Sequence, residues 1–96
     1  MSSTLTAADF ENLPDHRMTL AHGEQRLTLD VVEVRRLHAH AHANEPFAIT
    51  LRDTGARQSL RQGNYRYEHP VRGALDLFTV PLGPDGKGMV YEITFN

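Results

Sequence analysis

Met89, Tyr91, Ile93 and Phe95 alternate with Val90, Glu92, Thr94 and Asn96. A period of two is the period of a pleated strand, and here it sends every large ring to one buried face. The residues just before, Gly83-Pro84-Asp85-Gly86-Lys87-Gly88, have the composition of a turn-rich loop. A further apolar-rich run, Ala74 to Leu82, precedes that loop. The last third of the chain, from Tyr65, therefore reads as one antiparallel unit with two turns.

The same signals recur upstream. Arg17 to Leu20 reads as a short strand with Met18 and Leu20 on one side. Ala21 to Gln25, with Gly23, reads as a hairpin loop. Arg26 to Leu37 is the longest strand candidate. Its parity switches, from Leu27, Leu29 and Val31 to Val32 and Val34, which predicts a bulge or a strand serving two sides. Phe47, Ile49 and Leu51 alternate next, and Asp53-Thr54-Gly55 closes that run. Ala56 to Gly63 is polar, with Leu60 as a single apolar anchor. Asn64 to His69 reads as a strand with Tyr65 and Tyr67 on one face, turning at Pro70 to Gly73. Ala74 to Leu82 carries a second parity switch, from Leu75 and Leu77 to Phe78, Val80 and Leu82. It predicts a second bulge, or burial on both faces, near Leu77.

Six strand signals at short spacing, no long helix and no repeat define an all-β fold, a small antiparallel barrel or sandwich. Closing such a sheet removes edges that would otherwise invite aggregation. Thr6-Ala7-Ala8-Asp9 has capping-box spacing and can start a short N-terminal helix through Asn12, stopped by Pro14. Leu5, Phe10 and Leu13 would dock it on the sheet, or the segment forms a plain arm. A chain of 96 residues has room for one domain, here residues 1–96, with a frayed start at 1–4.

Composition narrows the function. A net charge of -2 disfavours a general polyanion binder, which needs clustered positive charge. There is no apolar run long enough to span a membrane, and Met1 to Phe10 lacks the pattern of a secretory signal. The absence of cysteine removes disulfides, thiolate metal sites and cysteine nucleophiles together. A cytoplasmic location is expected.

The one conspicuous constellation is His38, His40 and His42. On an extended segment all three imidazoles project to one side, with neighbours about 6–7 Å apart at Cα. Two reach one ion, but the third lies roughly 13 Å from the first. In a helix, His38 and His42 share a face instead. Either way two ligands need a third, from Glu45, His16, His22 or His69, and the ion would be zinc or nickel. The plainer reading is a solvated loop tip ending at Asn44-Glu45-Pro46.

Gly86-Lys87 does not make a phosphate loop. Pro81 stands where that pattern needs glycine, Gly88 stands where it needs Ser or Thr, and a strand follows. Ser59 has no elbow glycines, and the carboxylates show no acid–base spacing. No enzyme is expected. Arg61, Tyr65, Arg66 and Tyr67 could form an arginine–aromatic face for single-stranded nucleic acid. Tyrosines on one parity, with Arg66 and Glu68 on the other, favour inward rings and a charged outer wall, so nucleic acid is an unfavoured partner.

The stretches Gly63 to Pro70, Gly73 to Pro84 and Met89 to Asn96, with Glu45-Pro46-Phe47 and Leu29 to Val34, resemble a family of small bacterial single-domain proteins of unknown function. The resemblance covers most of the chain after about residue 5. It implies an association with phage-tail-collar-like proteins, and hence a structural or chaperone-like accessory of a tail-like assembly. The expectation is a non-catalytic protein-binding or assembly module, acting through a strand edge, an apolar patch or its loops on a protein partner. The alternative is a metal-binding protein.

Overall fold

The computed structural model describes residues 5–37 and 46–95. Six strands form a closed barrel: β1 (Arg17–His22), β2 (Gln25–Arg36), β3 (Phe47–Thr54), β4 (Gly63–His69), β5 (Gly73–Pro84) and β6 (Gly88–Phe95). Their order around the wall is β1-β2-β3-β6-β5-β4, and every pairing is antiparallel. Two three-strand meanders, β1-β2-β3 and β4-β5-β6, thus join along two seams. The β3/β6 seam runs the full length from Phe47↔Phe95 to Thr54↔Gly88. The β1/β4 seam is short, from Thr19↔Glu68 to Ala21↔Arg66.

β5 changes neighbours part-way. Gly73 to Thr79 pair with β4, and Val80 to Pro84 pair with β6. That stagger lets a short sheet curl shut.

Both parity switches have a structural counterpart, one at the expected place. In β2 the register shifts between Val31 and Glu33. Val31 stays inside while Val32 is pushed out, and Val34 returns to the core. In β5 the expectation is corrected. The inward row runs unbroken through Leu77 and Thr79, and the register shift falls later, between Pro81 and Gly83. Phe78 and Leu82 are therefore not buried on a second side. They face outward, 49% and 55% exposed.

The interior is solid. Leu20, Leu29, Ile49, Leu51, Tyr67 and Tyr91 are all at or near zero exposure. Each aliphatic side chain so buried contributes about 1.5–3 kcal/mol relative to exposure. One end of the barrel is plugged by α1 (Ala7–Glu11). Phe10, fully buried, meets Phe47, Phe95 and His69 at ring-centroid distances of 5.8, 5.1 and 5.4 Å. Leu13 is buried beside it, and Leu5 packs partly against the core.

Asp9 both caps and latches this helix. Its Oδ2 accepts the Thr6 backbone N–H at 2.8 Å and the Thr6 hydroxyl at 3.3 Å. Arg72, in the β4–β5 turn, donates Nε to Oδ1 and a terminal nitrogen to Oδ2 at 3.2 and 3.1 Å. Burial alone would raise the Asp9 pKa. The Thr6 N–H and the Arg72 guanidinium outweigh it and hold the carboxyl below its ordinary value.

Candidate interaction surface

Pleating turns alternate residues of each strand outward, and many of those outward positions hold polar or paired charged side chains. Arg17 meets Asp30 at 3.0 Å, Arg35 meets Glu92 at 3.0 Å, Arg52 meets Asp85 at 2.7 Å and Arg66 meets Asp76 at 3.5 Å. Arg26 also pairs with Glu68. Exposed pairs of this kind add little stability. Their effect is to keep the wall polar on β1, β2, β3, β4 and β6.

The second half of β5 breaks this pattern. Phe78, Val80 and Leu82 follow Asp76 on its outer side, with Val80 half-buried between its two exposed neighbours. Leu82 shares the outward parity of Phe78 and Val80 and is the extra residue of the bulge between Pro81 and Gly83. A short apolar row thus stands on a wall that is otherwise mostly polar, with Val32 of β2 the other exposed aliphatic strand residue among those described.

The sequence-derived residues are distributed as follows. Tyr67 points inward, fully buried, and its hydroxyl shares a 2.8 Å hydrogen bond with Thr79 Oγ1. Burial pushes its pKa up to about 12, so the phenol stays neutral. Tyr65 is half-buried, lies tilted against the His22 ring at a centroid distance of 5.5 Å, and donates its hydroxyl to the Arg61 carbonyl at 2.6 Å. Arg66 lies outside with Asp76. Arg61, Tyr65, Arg66 and Tyr67 therefore do not share one surface, because the pleat separates Arg66 from both rings.

His38, His40, His42 and Glu45 lie outside the described residues. Of the remaining candidate ligands, His69 is committed elsewhere. Its Nδ1 accepts the Val71 and Arg72 backbone N–H groups at 3.1 Å each, so Nε2 carries the proton and donates to the Asp9 carbonyl at 2.7 Å. His16 sits in a 3-10 turn, Pro14–His16, on the plugged end, and His22 ends β1 at the opposite end. Among the described residues no three His, Asp or Glu side chains come together as an ion site.

The unplugged end is formed by the β3–β4 connection and the β5–β6 hairpin. Leu60 closes it from above, packing on the core while its N–H donates to the Tyr91 hydroxyl at 2.9 Å. Asp85 organises the hairpin: one carboxylate oxygen accepts the Lys87 and Gly88 N–H groups at 3.0 and 3.2 Å, and the other takes Arg52. Those N–H groups and the Arg52 guanidinium lower its pKa. Gly88 allows β3 to approach, since a Cβ there would stand 2.2 Å from the Asp53 carbonyl oxygen. An open cavity of about 360 Å³ lies between the two loops, lined by Gly55, Ala56, Arg57, Pro84, Lys87 and Met89 among others.

A family model for DUF6916, a domain of unknown function, matches residues 5–95. The chain belongs to that family. No curated protein and no solved structure matches it. The matched span of this DUF6916 domain runs from Leu5 at the plug to Phe95, whose ring stacks on Phe47 at 4.4 Å. Helix α1 therefore lies within the family's span along with all six strands.

Proposed function

We propose that this DUF6916 domain is a non-catalytic protein-binding or assembly module, working in the cytoplasm through the outer face of β5. The supporting observation is the row Phe78, Val80 and Leu82, exposed at Phe78 and Leu82 where neighbouring strands carry ion pairs. Aromatic and aliphatic side chains held on a rigid strand make good anchors for a partner's pocket. Docking by side chains is favoured over strand addition. β5 beyond Thr79 has no β4 partner, and that stretch carries Pro81 and Pro84, which lack the N–H that an added strand needs.

The association with phage-tail-collar-like proteins implied by the family resemblance supplies the first partners to try, the products of neighbouring genes. These are passed over the immobilised domain and over a Phe78→Ser/Leu82→Ser variant. Capture by the wild type should exceed capture by the variant by roughly tenfold or more. Because both side chains are half-exposed, the variant should keep its stability within about 1 kcal/mol. Equal capture, or none, removes the reading. Metal capture by His38, His40 and His42 is the competing proposal. A stoichiometric zinc or nickel ion in native mass spectra, lost in His40→Ala, would favour it.

A further inference from the structure

The cationic side chains are not evenly compensated. The chain has ten Lys and Arg residues, and seven arginines meet carboxylates within 4 Å. Among the described residues, no carboxylate pairs with Arg57, Arg61 or Lys87. All three lie in the β3–β4 connection or the β5–β6 hairpin, on the unplugged end. Two of them, Arg57 and Lys87, line the same open cavity from opposite loops. On a chain of net negative charge, unpaired cations gathered around one hollow ask for an anion.

The kind of anion follows from the donors. Four backbone N–H groups here are already taken: Gly55 by the Lys87 carbonyl, Ala56 by the Asp53 carbonyl, and Lys87 and Gly88 by Asp85. A phosphate site normally uses such N–H groups. Asp85 is also part of this hairpin, and Asp53 and Glu24 stand on the same end of the barrel with no ion pair among the described residues. That background disfavours a dianion more than a single carboxylate. Ala56, Pro84 and Met89 offer apolar wall for an aliphatic stem, and Gly55 and Gly86 leave room for it.

We infer that this hollow receives the carboxylate of an acidic side chain on the protein partner, held between Arg57 and Lys87. The inference rests on the binding role proposed above and adds a second, charged contact to the apolar row.

The test is selection from a random peptide library on the intact domain, followed by affinity measurement on the best binder. Enriched peptides should carry Asp or Glu beside apolar residues. Replacing that acid by its amide, or using an Arg57→Ser/Lys87→Ser variant, should each weaken binding about tenfold, and added salt should weaken the wild-type complex. Selection without acidic bias, or without any binder, overturns the inference. So does binding of inorganic phosphate, lost in the double variant, where acidic peptides fail. Binding that needs Phe78 but ignores the double variant overturns this inference and spares the β5 reading. The converse spares the hollow and removes β5.

Discussion

Tyr67 carries a hydroxyl into the middle of an apolar barrel, and Thr79 is what makes that tolerable. The pair is satisfied further by the Thr79 hydroxyl donating to the Leu77 carbonyl at 3.2 Å. The phenol titrates at about 12 when folded against an ordinary 10. The folded state therefore favours the protonated ring. That contribution is complete below about pH 10 and is lost as pH rises through about 12. Tyr67→Phe should cost about 1 kcal/mol near neutrality, and urea midpoints across alkaline pH should fall less steeply than those of the wild type. The inward placement of Tyr65 and Tyr67 was readable from their shared parity, with Arg66 and Glu68 on the other. The role of His69 was not. Its partner on α1 lies 60 residues earlier, and a histidine before a proline has no periodic signature.

At the scale of elements, α1 shows what local chemistry can and cannot announce. The hydroxyl-to-carboxylate spacing of Thr6 and Asp9 marked the helix start, and Phe10 marked its apolar face. That Asp9 would also grip Arg72 depends on tertiary folding. With its folded pKa below the ordinary value, Asp9 contributes stability above about pH 4 that is lost as pH falls through the folded value. Asp9→Asn should lower stability by about 1–2 kcal/mol at neutral pH and flatten the acid limb of a chemical-denaturation profile. A variant as acid-sensitive as the wild type would contradict this. The β2 bulge was legible in the change from Val31 to Val32. In β5 the same kind of pattern misled, because apolar residues on both parities describe equally a strand buried twice and a strand with a bare outer row. Only the positions of neighbouring strands separate the two cases. The row on Phe78 and Leu82 was therefore visible as composition but not as surface. The hollow on Arg57 and Lys87 was not visible at all, since the two residues come from loops that fold together only when the barrel closes.

For the molecule as a whole, the barrel is two meanders joined by one covalent passage, residues 55–62, and two hydrogen-bonded seams. Neither meander can cover its own inner face, and each presents the other with a complementary set of unpaired backbone groups. Arg57, Gln58 and Ser59 in the passage are exposed. A chain severed there and supplied as separate halves should reconstitute the parent. Mixing the fragments should restore the circular-dichroism spectrum of the intact chain, with co-elution as one species at a one-to-one ratio. Continuity of the backbone would then be dispensable, and the molecule could serve as a split reporter whose signal depends only on its two parts meeting.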